Sequence, residues 1–264
     1  SRVGRKARGP QPRNTVLAAR TEQTIEVAGV RLVVHRNTQR DDPEAPLIMI
    51  IPGWLGNSRS SYVVSAALQL WQQGFNVVRI NLRDHGDTAH LNSGLFHSAL
   101  IEEVIELAQH LMTEGRSTPD HRRPCGLIGY SLGGNFALRL ARAIPELSTL
   151  AICPAIDPYA TMRQIESSVI YRNYFIIKWR KLFREKQRHF PTLYDFGPAM
   201  KLSSVASLTD YFIKYHSEFD DTQSYCAAYD LSGSAMAGVN AQIVAAADDP
   251  IIPAHFYEGL PETI

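Results

Sequence analysis

Residues Gly129-Tyr130-Ser131-Leu132-Gly133 constrain this chain more than any other segment. An apolar run, Cys125-Gly126-Leu127-Ile128, precedes them and suits a buried strand, and residues 135–142 behind them are rich in helix formers. A strand that becomes a helix within five residues bends so sharply that side chains two before and two after the serine collide. Glycine at both places removes the collision. The serine hydroxyl then stands above the sheet with the next backbone N–H aimed at the same space, as nucleophilic attack on an ester requires.

The rest of the chain supplies a sheet for this turn to sit on. Residues 24–27 and 31–35 alternate and read as a hairpin around Ala28-Gly29. Residues 46–51 form a continuous apolar run, the pattern of a strand covered on both faces. A helix is expected over 61–73, a strand over 76–80, a helix over 97–112 with apolar spacing of three and four, and strands over 150–153 and 241–247. Strand and helix alternate, which implies a mostly parallel sheet with helices on both faces. Together with the G-x-S-x-G turn this is an α/β-hydrolase fold.

Between residue 158 and about 219 the alternation stops, where such a fold inserts a helical cap. Its middle, 171–190, carries seven basic residues (Arg172, Lys178, Arg180, Lys181, Arg184, Lys186 and Arg188) against the single acid Glu185, with aromatic and aliphatic residues between them. A cap helix with one packed and one solvated face is the preferred reading. Peripheral contact with an anionic membrane is the less favoured one. The expected organisation is a basic flexible tail over 1–22, core over 23–157, cap over 158–219 and core again over 220–264.

Net charge is +1, so composition gives no bias toward nucleic acid. Cys125, Cys153 and Cys226 are far apart in apolar stretches and read as buried free thiols of a reducing, cytoplasmic compartment. No apolar run approaches the roughly 18 residues of a membrane span. No metal or organic cofactor is called for, and the expected partner is a small acyl ester.

Ile51-Pro52-Gly53-Trp54 follows the 46–51 strand, where these folds place the second oxyanion donor. The N–H groups of Trp54 and Leu132 are therefore the expected oxyanion hole. Asp249, past the 241–247 strand, is the expected acid that orients a histidine, with Asp157 the second choice and Asp248 a turn residue. The base itself is missing from the expected place. His255 is the single histidine past Asp249, six residues on and in the wrong element. His85 and His90 read as loop residues, His97 as a helix start and His35 as part of the hairpin. His110, His121, His189 and His216 have no supporting context. One more strand, loop and helix would need about 35 further residues. The expectation is thus a chain lacking its last strand and helix, with its catalytic histidine beyond Ile264 and little esterase activity in residues 1–264 alone.

Five stretches carry a family resemblance: residues 53–62, Asn81-Leu82-Arg83-Asp84-His85-Gly86, residues 128–135, Phe219-Asp220-Asp221-Thr222 and Ala247-Asp248-Asp249-Pro250. They resemble the YheT-like α/β-hydrolases, the branch that includes embryogenesis-associated proteins and medium-chain ester synthases. The resemblance implies a carboxylic-ester hydrolase or acyltransferase with Ser131 as nucleophile and Asp249 as acid. Pro52 departs from it, since the family usually has histidine there. Three functions follow as expectations: ester or thioester hydrolysis through an acyl-serine on short- to medium-chain substrates, acyl transfer to an alcohol, or binding without catalysis.

Overall fold

The structure is a computed structural model that describes residues 20–114 and 123–261. Seven strands form one sheet: β1 (Thr21–Val27), β2 (Val30–Asn37), β3 (Leu47–Ile51), β4 (Asn76–Asn81), β5 (Cys125–Tyr130), β6 (Ser148–Ile152) and β7 (Ala241–Val244). Their order is β1-β2-β4-β3-β5-β6-β7. β1 and β2 pair antiparallel, as do β2 and β4, and every other neighbour is parallel. The helices are α1 (Ser61–Gln72), α2 (Glu102–Thr113), α3 (Leu132–Ala143), α4 (Pro158–Ser167), α5 (Val169–His189), α6 (Val205–His216) and the short α7 (Thr222–Ala227).

Period-two alternation within buried strands decides which helix covers which face. Ile48 and Ile50 of β3 pack with Val63, Ala67 and Trp71 of α1. Met49 and Ile51 point the other way, into the cluster holding Val104, Leu107 and Leu111 of α2 and Phe136 of α3. Helices therefore lie on both faces, as the continuous apolar run of β3 requires.

The order β4-β3-β5 is what creates a site. The chain leaves β3 toward β4 on one side and returns to β5 on the other, so a crevice opens at the carboxyl ends of β3 and β5. Ile51 pairs with Gly129 in the β3–β5 register, and Tyr130 with Ile152 in the β5–β6 register. Residues just past those pairs, Gly53, Ser131 and Cys153, thus emerge side by side at one edge.

Several boundaries differ from expectation. β1 starts at Thr21, so the last two residues of the expected tail are strand, and residues 1–19 of that tail lie outside the described residues. The helix expected from His97 begins at Glu102. Ser98 and Ala99 cannot join it, because their carbonyls accept from the Arg139 guanidinium and the Ser98 N–H donates to the Tyr225 hydroxyl. β7 stops at Val244, and His255 sits in a 3-10 turn (Ala254–Tyr257). None of the three cysteines is disulfide-bonded; Cys125 and Cys226 are buried, and Cys153 is only half-buried.

Candidate active site

Ser131 stands between β5 and α3 with φ 53 and ψ −119, a conformation that L-residues rarely adopt. Strain of this kind costs about 1–3 kcal/mol and persists where surrounding bonds enforce it. Here the Ser131 N–H donates to the Ile152 carbonyl (2.9 Å), and the Ser131 carbonyl accepts from the N–H groups of Gly134, Asn135 and Ala155. The flanking glycines are required by contact distance. A Cβ on Gly129 would lie 2.1 Å from the Gly133 carbonyl oxygen. A Cβ on Gly133 would lie 2.3 Å from the Pro52 carbonyl oxygen and 2.4 Å from that of Ile51. The second glycine therefore lets α3 close against the end of β3, beyond relieving the turn itself.

That closure brings the 53–58 loop to the serine. A Cβ on Gly53 would lie 3.2 Å from the Ser131 Cβ. Within the loop the Gly53 N–H donates to the Tyr62 hydroxyl (3.0 Å), the Leu55 N–H to His85 Nε2 (3.0 Å) and the Gly56 N–H to the Gly53 carbonyl (2.9 Å). Three of four consecutive amides are thus engaged, and the fourth belongs to Trp54. Leu132 is the first residue of α3, where an amide has no intrahelical acceptor and the helix dipole favours negative charge.

Asp249 follows β7 in a tight turn, its Oδ1 accepting from the N–H groups of Ile251 (2.8 Å) and Ile252 (2.9 Å). It borders Cys153, whose thiol is pushed up by burial and then by the Asp249 carboxylate. Asp157, the second-choice acid, is occupied as the N-cap of α4, accepting from the Ala160 N–H (2.8 Å). Asp248 is exposed.

Above Ser131 lies a cavity walled by Trp54, Leu132, Phe175, Trp179, Leu182 and Phe212, with free space of about 110 Å³. Trp54 joins its two banks. Its ring stacks on Phe175 of α5 (5.0 Å between centroids) and meets Trp179 edge-on (5.3 Å). Lys178 Nζ also donates to the Leu55 carbonyl (3.2 Å).

Residues 48–262 match the alpha/beta hydrolase family. The chain belongs to that family. Among its relatives, a Haemophilus influenzae protein assigned as an esterase/lipase is 28% identical over 113 residues, 43% of this chain and 35% of that one. The sn-1-specific diacylglycerol lipase of Mus musculus is 25% identical over 130 residues, 49% of this chain and 39% of its own length. These matches span well under half the length of either relative. Among solved structures, an esterase of Pyrococcus furiosus aligns over 98% of this chain and 86% of its own (TM-score 0.56, 14% identity). An alpha/beta hydrolase of Penicillium aligns over 92% and 86% (TM-score 0.56, 14% identity). At such identity the structural matches establish the fold.

For a member of this family the histidines are the telling residues. His85 is fully buried, with Nδ1 on the Arg83 carbonyl (2.8 Å) and Nε2 accepting from the Leu55 N–H. Nδ1 must therefore carry the proton, and burial holds the ring neutral by lowering its pKa to about 4. It is a brace for the loop that bears Trp54. His255 is exposed and meets Phe256 edge-on, His90 and His189 are exposed neighbours, and His216 lies among Tyr194, Phe196 and Tyr211. His35 is buried in the hairpin, His110 faces Glu114, and His121 lies outside the described residues. Among the described residues no histidine is hydrogen-bonded to Ser131 or Asp249, and no group of three or more His, Cys, Asp or Glu gathers as metal ligands do.

His97 is the residue that sequence reasoning passed over. It shares the cavity with Ser131, packed against Phe219 and Tyr225 with Nε2 3.6 Å from Glu218. Burial lowers its pKa, Glu218 opposing. Reading 97–112 as one helix hid it, although its position in an apolar run after β4 could have marked it as loop at the carboxyl edge.

Proposed function

We propose that the chain forms a serine-dependent carboxylic-ester or thioester hydrolase acting on short- to medium-chain acyl groups. The observation that carries this reading is Ser131, held at φ 53 at the floor of an apolar cavity whose wall also includes Trp54 and Leu132. Ser131 Oγ attacks the acyl carbonyl carbon, and its proton passes to an imidazole oriented by Asp249. The oxyanion accepts from the N–H groups of Trp54 and Leu132, each such donor contributing about 3 kcal/mol to the rate. The leaving alcohol or thiol takes the proton, and water then releases the acyl group by the same steps.

The helices over 158–219 act as the cap of this site, and their aromatic lining suits an acyl chain. Within the family, the motifs around Trp54, His85 and Ser131 support placement in the YheT-like branch. Three cysteines outside any disulfide support a cytoplasmic, reducing setting, and among the described residues no helix is long and apolar enough to cross a membrane.

The test is labelling of the full-length protein with a fluorophosphonate. Labelling that vanishes in Ser131→Ala and falls by two or more orders of magnitude in Asp249→Asn supports the hydrolase. A second reading, a binding protein that holds acyl ligands without turnover, is favoured by the lack of a histidine bonded to Ser131 or Asp249 among the described residues. Absence of labelling, with a fatty-acid probe still bound, would establish it.

A further inference from the structure

Helix α5 has two different faces. Phe175, Trp179 and Leu182 point into the cavity, and Lys186 continues that row into the core. The opposite row runs Ile170, Tyr174, Ile177, Lys181, Arg184 and Arg188, at the three- and four-residue spacing of one helical stripe. Ile177 and Trp179 are two residues apart, about 200° around the helix, so the rows lie back to back.

The outer row is not an ordinary solvated face. Ile170 is 78% exposed, Ile177 65%, Tyr174 49% and the adjoining Val169 60%. The apolar half fills the start of the stripe and the cations fill its end, over a length of about 27 Å. Charge on that end is scarcely neutralised. Lys181 meets Glu185 at 3.6 Å, and Arg184 and Arg188 have no carboxylate partner among the described residues. An apolar patch joined to a basic one on a single helix face matches a bilayer with anionic headgroups, where aliphatic side chains enter the acyl boundary and cations meet phosphates. It matches a neutral or acidic surface poorly.

We infer that the outer face of α5 docks on an anionic lipid bilayer, setting the roof of the cavity against the membrane. The consequence that esters reach Ser131 from the membrane rests on the hydrolase reading above; the docking itself does not. The aromatic inner row then forms the passage between bilayer and serine, since Phe175 stacks on Trp54 and Trp179 meets it edge-on.

The experiment is co-sedimentation of the full-length protein with vesicles of phosphatidylcholine, alone or with phosphatidylglycerol. Binding at least tenfold tighter to the anionic vesicles, lost at high salt, is expected. Ile170→Asp with Ile177→Asp should lower binding at least tenfold. Lys181→Glu and Arg184→Glu should lower it about fivefold per charge. None of these side chains lines the cavity, so fluorophosphonate labelling and hydrolysis of a soluble short-chain ester should stay at the wild-type level. Equal binding by wild type and both double variants, no binding at all, or a dimer in solution that Ile177→Asp dissolves would overturn the proposal. Vesicle binding without labelling would remove the hydrolase reading and leave the docking intact, and labelling without vesicle binding would do the reverse.

Discussion

The two banks of the cavity are built by different means. The sheet bank, residues 53–58 and 129–135, is a lattice of short polar contacts. The Gly53, Leu55 and Ser58 N–H groups each meet a side-chain acceptor from another part of the chain, on Tyr62, His85 and Asn81. Arg79, fully buried, donates to the Ser58 carbonyl (2.6 Å). The helical bank, α4 to α6, is held largely by rings, with Phe183 on Phe196 and Trp179 on Phe212. Its one deep polar anchor is Lys186, which donates at 2.7 Å to Asp84, Asn92 and Gly94. Directional bonds fix atoms in place, which suits the bank that carries the proposed nucleophile and oxyanion donors. Stacked rings exclude water and constrain position less tightly, which suits a wall for the proposed acyl chain.

The largest expected effect falls on that anchor. Lys186→Met leaves the Asp84 carboxylate buried without its cation and should destabilise the fold by about 3–5 kcal/mol, read by urea unfolding. Loss of under 1 kcal/mol would mean the helical bank is held by its rings alone. Gly133→Ala comes next and belongs to the sheet bank. Its Cβ must displace the Ile51–Pro52 backbone, with an expected loss of about 3 kcal/mol. Labelling should fall about a hundredfold in the molecules that remain folded, because the amides proposed as oxyanion donors shift. Unchanged labelling would show that the two loops need not touch.

His85 gives the contrast a pH signature. Its pKa is about 4 in the fold against 6.5 for an unperturbed histidine, so the unfolded chain binds more protons between those values. Its contribution is complete above pH 6.5 and is lost as pH falls toward 4, up to about 3 kcal/mol. His35, also lowered to about 4 by burial and then Arg79, acts in the same direction. Unfolding curves at pH 7 and 4.5 should differ, and His85→Gln should flatten the difference; an equal slope in the variant would remove the brace assignment. The smallest effect is expected from His97→Ala, a rise in KM of no more than about tenfold with labelling retained. Complete loss of labelling would instead make His97 the base.

How far the sequence could be read follows the same division. The elbow was legible because steric conflict over five residues leaves glycine as the sole solution, and the mostly parallel sheet with helices on both faces followed from the alternation of strands and helices. The brace at His85 was not legible, since its partner amide lies 30 residues away and no local pattern announces it. Lys186 was hidden within a run of cations read as solvated, because helical spacing locates a residue on a face without saying what polar group waits opposite. The start of α2 was misplaced by five residues for a similar reason. Apolar periodicity continued through 97–101, but Arg139 and Tyr225 had claimed that backbone. Asp249 lies past β7, and its double acceptance from Ile251 and Ile252 fits either an orienting carboxylate or a turn.

The central claim is that Trp54 and Leu132 aim their amides at the oxygen that forms on attack by Ser131. A crystal structure of the full-length protein after reaction with a fluorophosphonate tests it directly. The account predicts a phosphonyl group on Ser131 with its oxygen about 2.7–3.1 Å from both nitrogens. An adduct whose oxygen faces solvent, or lies beyond hydrogen-bond reach of either amide, would contradict it.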